Sequence, residues 1–298
     1  MAWAAAPAGE ATSSASSGHA RRDGGDGSPP ACVRGPVTVA DLPVSDGFPR
    51  FDWPPRTDFH EFFFARAMYT DGGRGGFGFG RGRGGFQLGD GGPSWSIDYA
   101  NADRHMVLVT RRLSNIDACE WEHPVSLADP DLRRFPFLYS LEWGNAALTG
   151  EEVEGLRSFL QAGGLLMLDD FWGTYEWANF ERQIHRVLPG RQIVEIPRDH
   201  LLFHVHYTID GDILQVPNAG NARDVAIGRP GATTSEQDGF VPHVRGIFDD
   251  EGRLMVVINW NTDLGDALEW AESPYYPLKF STFASELFLN TIMYAMSQ

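Results

Sequence analysis

The sequence predicts an α/β domain built on a mostly parallel β-sheet, and three features support that class. A helix, an apolar strand and a second helix follow one another with short links over residues 148–188. This alternation is the repeating unit of a parallel sheet covered by helices. Continuous apolar runs elsewhere are typical of strands that are buried on both faces. A hairpin pattern, two apolar runs around a polar turn, completes the sheet over residues 244–259.

The stretch from Thr149 to Pro189 carries the clearest local signals. Thr149 can cap a helix, and Glu152 three residues later completes a capping box. Gly163-Gly164 can end that helix in a left-handed turn. The apolar run Leu165–Leu168 then predicts a buried strand that ends at Asp169-Asp170. A second helix is expected next, with apolar residues on one face and a stop at the proline: Trp177, Phe180, Ile184, Val187 and Pro189.

Weaker patterns predict the remaining elements. Strands are expected at 61–67, 105–110, 136–141 and 193–196, and a final helix over about 281–296. His204 and His206 would share one face of a further strand, as paired metal ligands or bases do. Structural roles for these histidines are the alternative.

Composition limits the classes of partner. The formal net charge is −16, and a surface of that sign repels nucleic acid and anionic membranes. No apolar run approaches the ~20 residues of a membrane helix. We therefore expect no nucleic-acid and no membrane partner. Because Cys32 lies in a tail and Cys119 in the folded part, a structural disulfide is not expected.

The chain divides into a tail and one domain. Residues 1–36 hold almost no large apolar side chains and are predicted to be disordered, and residues 37–298 to form a single α/β domain. The Gly-rich stretch 72–92 predicts a surface loop, although its Arg-Gly-Gly-Phe pattern also occurs in RNA binders. The sequence leaves localisation open: a cytoplasmic location is expected for the chain as written, and a periplasmic or exported one if the start codon is misassigned.

The first candidate site lies after the strand that ends at Asp169-Asp170. Open α/β sheets bind ligands beyond the carboxyl ends of their strands. Successive side chains point to opposite faces, so one aspartate should face a cleft and the other should support loops. Trp172 is expected to wall this cleft, and Glu176 to add a third carboxylate. Capping of the next helix by these acids is the alternative reading.

A second candidate cluster follows the hairpin. Asn261, Asp263 and Asp266 carry oxygens that suit a hard cation, but their spacing matches no EF-hand loop and no metal site is assigned. Turn formation by the same side chains is the alternative. His243 and Arg245 on the hairpin are added as ligand-binding candidates.

Several of these stretches resemble an uncharacterised bacterial family known as domain of unknown function 4159. The resemblance is carried by Asp169-Asp-Phe-Trp-Gly173, Asn261-Thr-Asp-Leu-Gly-Asp266, Trp95–Asp103 and Pro242–Ile247 among others, over about 60–297. The family is similar to class I glutamine amidotransferase-like (ThuA-like) proteins. That similarity implies a flavodoxin-like three-layer sandwich. Amidotransferases carry a cysteine nucleophile at the turn that Asp169-Asp170 occupy here, so glutaminase chemistry is not expected.

Three functions are compatible with this sequence. The first is binding of a small polar ligand, such as a carbohydrate, by acids and aromatic rings. The second is an acid-dependent, metal-assisted hydrolase in which Asp170 or Glu176 acts as base and Arg245 stabilises negative charge. The third is a scaffold that docks a protein partner through its acidic face. The sequence names no cofactor and does not decide whether the protein is an enzyme.

Overall fold

The computed structural model describes Cys32, residues 60–72 and 92–298, and the backbone alone of residues 44–45 and 48–49. The strands in these residues are β1 Val44–Ser45, β2 Phe48–Pro49, β3 Ala65–Met68, β4 His123–Ser126, β5 Phe137–Leu141, β6 Leu165–Asp169, β7 Val194–Glu195, β8 His243–Phe248 and β9 Leu254–Trp260. The α-helices are α1 Asn101–Leu113, α2 Gly150–Gln161, α3 Gly173–Val187, α4 Ala219–Ala226, α5 Leu264–Glu269 and α6 Leu278–Met296.

A seven-stranded, mostly parallel sheet organises the molecule, which confirms the α/β class. Its strand order is β4-β3-β5-β6-β9-β8-β7. Strands β4, β3, β5, β6 and β9 are parallel to their neighbours, whereas β8 and β7 are added antiparallel. The carboxyl ends of the parallel strands therefore meet at one edge of the sheet.

Helices pack on both faces of this sheet. Alternate strand side chains belong to different cores, so Phe137 joins one apolar cluster and its neighbour Leu138 the other. The first core holds side chains of α1, α5 and α6, and the second those of α2 and α3. Strands buried on both faces explain the unbroken apolar runs of the sequence. Within the described residues, no helix is both long and apolar enough to cross a membrane.

The stretch with the clearest signals folds as predicted. Thr149 Oγ1 accepts from the Glu152 amide, and the Glu152 carboxylate accepts from the Thr149 amide at 2.7 Å. Strand β6 delivers Asp169 at its last position, and α3 ends two residues before Pro189. The hairpin and the final helix are also confirmed, as β8–β9 and α6.

Two predictions about local structure were wrong, and a third predicted strand is present but shorter than expected. Residues 105–110 form the middle of α1, because Ala102, Met106 and Val107 are buried at helical spacing while Arg111 is exposed. The strand expected at 193–196 is shorter and runs antiparallel at the sheet edge. His204 and His206 share no strand; their ring nitrogens contact the carbonyl oxygens of Arg198 and Leu113.

The prediction that no structural disulfide exists was also wrong. Cys32 and Cys119 are bonded to each other, and their positions are 87 residues apart in the sequence. The bond ties a point in the predicted tail to the loop between α1 and β4. The rest of the predicted disordered tail, and the Gly-rich loop between Gly72 and Gly92, fall outside the described residues.

Gly155 lies in the middle of α2, where a side chain would collide with the backbone. A Cβ there would sit 1.9 Å from the Leu127 carbonyl oxygen, whereas Gly150 at the start of α2 has open space. Alanine normally favours a helix over glycine by about 1 kcal/mol. Overpacking against rigid backbone costs about 1–3 kcal/mol, and here it should win. We expect Gly155→Ala to lower the free energy of unfolding in urea titrations, and Gly150→Ala to leave it unchanged or raise it.

Candidate functional site

An acid-lined cavity opens at the edge where the parallel strands end. Its volume is about 210 Å³. Seven carboxylates line it, from Asp98, Glu142, Asp170, Glu176, Glu236, Asp263 and Asp266. The other lining residues are Ile97, Trp172, Asn218 and Gln237, so no lysine or arginine lies among them. We call this space the acid cavity.

Two neighbouring strands deliver the carboxylates of Glu142 and Asp170. Glu142 directly follows β5, and its amide lies 3.2 Å from the Asp169 carbonyl and 3.1 Å from that of Asp170. The Asp170 amide donates to the Thr262 carbonyl, which joins this turn to the loop after β9. The backbone of three strand ends is thus linked directly, and the acids on it hold fixed relative positions.

Asp98 reaches the cavity from the loop before α1, which a buried arginine supports. Arg66 on β3 is fully buried and forms two hydrogen bonds with the Asp103 carboxylate, at 3.0 and 2.5 Å. Its guanidinium also donates to the Ile97 carbonyl oxygen at 3.2 Å. A buried ion pair of this kind holds its surroundings rigidly, because breaking it leaves an uncompensated charge. Arg66 therefore positions the loop that carries Asp98.

Asp263 and Asp266 come from the start of α5. Asp263 caps this helix, since its Oδ1 accepts from the Asp266 amide at 2.7 Å. Asp266 Oδ2 accepts from the Ala219 amide at 2.5 Å, which ties α5 to the first residue of α4. These side chains therefore cap a helix and join it to α4, in line with the structural alternative of turn formation. Both also line the acid cavity.

Three aspartates form the centre of the acid cavity. Asp98, Asp170 and Asp263 each place one carboxylate oxygen within 4.8 Å of the others. Their exposures are 3 %, 7 % and 3 %. Asp170 Oδ1 accepts from the Trp172 indole at 2.9 Å, and Asp263 Oδ1 from the Asp266 amide. Among the described residues no hydrogen-bond donor reaches Oδ2 of either Asp170 or Asp263.

Burial shifts the titration of these carboxyl groups upward. Burial, followed by the charges of Glu142 and Asp98, raises the pKa of Asp170 well above its ordinary value. Burial and the charge of Asp170 do the same to the pKa of Asp263. The pKa of Glu142 rises to about 8, through burial and then the charges of Glu176 and Glu236. Without a cation, the cavity therefore holds protons at neutral pH.

Backbone strain concentrates around the same space. The described non-glycine residues with positive φ are Asp98, Glu142, Asp170, Gln237 and Asn261, with values from 48° to 61°. Four of these five line the acid cavity. Such conformations cost about 1–3 kcal/mol each, and they cluster at functional sites, where the surrounding structure enforces them. The positions of the acids are therefore maintained against a local energetic cost.

Sequence comparison supplies the family. The family model described as a domain of unknown function, DUF4159, matches residues 86–296, more than two thirds of the chain. The chain belongs to the DUF4159 family. No curated protein matches it. The matched range contains each of the seven carboxylates in this DUF4159 protein's acid cavity.

Most of the candidates around β6 and β9 come together in this DUF4159 protein. Asp170, Trp172, Glu176, Asp263 and Asp266 line the acid cavity. The other two support its walls. Asp169 is buried and accepts from the Gly265 amide at 2.9 Å and the Tyr139 hydroxyl at 3.1 Å. Asn261 accepts from the Gly173 amide and donates to the Val241 carbonyl.

His243 and Arg245 lie elsewhere in the DUF4159 fold. Neither lines the acid cavity, and both contact Glu195 on β7, at 2.7 and 2.6 Å. The Arg245 guanidinium also lies 4.7 Å from the Trp177 ring and 4.8 Å from the Trp260 ring. Both residues belong to β8, which is antiparallel to its neighbours, and their side chains pair with β7 and do not line the cavity that holds Asp170 and Glu176.

Six residues that line the cavity of this DUF4159 protein were missed from the sequence: Ile97, Asp98, Glu142, Asn218, Glu236 and Gln237. Glu142 follows the predicted strand 136–141 directly, so the rule applied to Asp169-Asp170 would have found it. Asp98 lies within Trp95–Asp103, and only the family resemblance drew attention to that stretch. Glu236 and Gln237 lie in a loop-rich region without a periodic pattern, and no signal in the sequence points to them.

Proposed function

We propose that this protein binds a small polar ligand in the acid cavity, together with a divalent cation held by Asp98, Asp170 and Asp263. One observation carries the proposal: three buried carboxylate oxygens lie within 4.8 Å of one another, and the described residues that line the cavity include no basic side chain. Hard cations such as calcium and magnesium take oxygen ligands of this type. Oδ2 of Asp170 and Oδ2 of Asp263 accept from no donor among the described residues, so both oxygens are available to a cation.

The space beside the three aspartates suits a ligand with hydroxyl groups. Carboxylates accept hydrogen bonds from hydroxyls, and Trp172 offers an aromatic wall. A cavity of about 210 Å³ admits a molecule no larger than a single sugar unit or a short polyol. A bound cation would also neutralise part of the charge of the lining acids, so that neutral polar ligands could approach.

We further propose that the fold is a flavodoxin-like three-layer sandwich related to the ThuA-like group. The five parallel strands, numbered along the chain, take the order 2-1-3-4-5, which is the flavodoxin-like order. Folds of this type bind ligands beyond the carboxyl ends of their strands, near the point where the strand order reverses. The acid cavity lies at that edge, and this position supports its assignment as the ligand site.

Calorimetric titration of EDTA-treated protein with calcium, magnesium and manganese tests the cation. We expect at least one of these cations to bind to the wild type. Asp263→Asn and Asp170→Asn should each weaken cation binding by at least ~10–100-fold, which is the loss seen when groups that support metal ligands are removed. These replacements keep the side-chain shape, so circular dichroism should show the fold retained.

Asp212→Asn is the matched control, because Asp212 is exposed and does not line the acid cavity. It should bind the cation as the wild type does. The cation site would be contradicted if all four proteins bound the cation with equal affinity, or if none of the three cations gave a heat of binding.

Hydrolysis is the second candidate, and one observation favours it. Glu142, with its pKa of about 8, is a proton donor at neutral pH within a cavity that also holds candidate metal ligands. Arg245 pairs with Glu195 and does not line the cavity, so this candidate assigns it no role in stabilising charge. Turnover of a soluble ester, amide or glycoside that depends on the cation would distinguish this candidate from binding alone.

A further inference from the structure

A second recess lies beside the acid cavity and has a different chemical character. Its volume is about 360 Å³. The start of α4 separates the two spaces: Asn218 lines the acid cavity, whereas Ala219 and Gly220 line the recess. We call this second space the aromatic recess. Acids line the first space, but the described residues that line the second include none.

Two exposed aromatic rings form the wall of the aromatic recess. Trp270 is 43 % exposed and Tyr275 is 63 % exposed. Beneath them Tyr276 is buried, and its hydroxyl donates to the Pro217 carbonyl at 2.7 Å, which fixes the floor. Rings that line a recess while remaining open to solvent offer flat faces to another ring.

The aromatic recess also carries an uncompensated positive charge. The Arg223 guanidinium lies 5.8 Å from the Tyr275 ring, and no described carboxylate forms an ion pair with it. In contrast, the nearby Arg229 pairs with Asp224 at 2.9 Å. Gly220 is in the first turn of α4, where an amide has no acceptor within the helix and the helix dipole favours negative charge. Arginine and a first-turn amide together suit an anionic group.

We propose that the aromatic recess binds a ring-shaped anion, a sugar that carries one carboxylate or phosphate group. Trp270 and Tyr275 contact the ring, Arg223 binds the anionic group, and the Ser273 hydroxyl and the Gly220 amide supply further donors. This site does not depend on the cation in the acid cavity, so the two proposals can fail separately.

Calorimetric titrations in EDTA with glucuronate, glucose 6-phosphate and glucose test the aromatic recess. We expect at least one of the two anions to bind about tenfold or more tightly than glucose, the difference that one charge-assisted hydrogen bond produces. Arg223→Ala should remove this preference, and Arg223→Lys should restore part of it. Trp270→Ala should weaken binding of the anion both in the wild type and in the Arg223→Ala variant.

Arg229→Ala is the matched control, because it removes an exposed arginine from the same region without touching the recess. It should bind the anions as the wild type does. A stronger response to glucuronate assigns a carboxylate, and a stronger response to glucose 6-phosphate assigns a phosphate. The proposal is overturned if neither anion binds, if glucose binds equally well, or if Arg223→Ala and Trp270→Ala leave binding unchanged.

Discussion

Raising the pH from about 5 to about 8 should destabilise the cation-free protein by several kcal/mol, because each pKa unit corresponds to about 1.4 kcal/mol. Burial raises the pKa of Asp169 to about 7 and that of Glu142 to about 8. In the unfolded chain both groups ionise near pH 4. Their contribution to stability is therefore complete below about pH 4 and is lost as the pH rises through the folded-state values. Urea unfolding in EDTA at several pH values measures this loss.

A divalent cation should reverse the destabilisation at high pH. Carboxyl groups must lose their protons to bind a metal, so affinity rises with pH and binding releases protons. At a free cation concentration about 100 times the dissociation constant, the stabilisation should reach about 2.7 kcal/mol. We expect this gain near pH 8, and little of it near pH 5.

Two variants separate the causes of this pH dependence. Asp169→Asn removes a titrating group that does not line the acid cavity, so it should flatten the profile while the cation still binds. Asp263→Asn should remove the cation effect. A stability profile that is flat from pH 5 to 8 without cation would contradict the assignment of buried, protonated carboxyl groups.

Reduction of the disulfide should cost about 4–5 kcal/mol of unfolding free energy, the loop-closure estimate for a loop of this length. Cys32 and Cys119 are 87 residues apart, and without the bond the unfolded chain gains the freedom of that whole segment. Urea unfolding with and without dithiothreitol measures the effect. The double variant Cys32→Ser with Cys119→Ser should match the reduced protein and should not respond to the reductant.

Alkylation of purified protein, followed by mass spectrometry, should find both cysteines protected until reductant is added. Reactive thiols at both positions, or identical unfolding curves in both redox conditions, would contradict the bond.

The sequence predicted those parts of the fold that depend on local signals. The capping box at Thr149, the strand before Asp169 and the hairpin all follow from neighbouring residues. The strand predicted at 105–110 was wrong because valine and leucine suit a strand. The helical period is visible only when the buried Ala102 and Asp103 are included. The disulfide escaped because pairing over 87 residues is a property of the tertiary fold.

The site was predicted where it follows a strand end and missed where the chain returns to it through a loop. Asp170 directly follows β6 and Asp263 lies three residues after the end of β9, so the rule for open sheets applies to both. Asp98 depends on Arg66, which supports its loop from a separate strand. Glu236 comes from a region without regular structure near it. Contacts between distant segments decide such positions, and periodicity does not encode them.

The Glu195–His243–Arg245 cluster bears on self-association. Strand β7 ends the sheet, is two residues long, and leaves Val194 39 % exposed. An open edge offers unpaired amide and carbonyl groups to any other chain, and short, charged edges discourage that pairing. We therefore expect the ionic side chains on β7 and β8 to disfavour edge-to-edge pairing with another chain. Replacing these charged side chains with neutral ones should lower the solubility of the protein and leave ligand binding in the acid cavity unchanged.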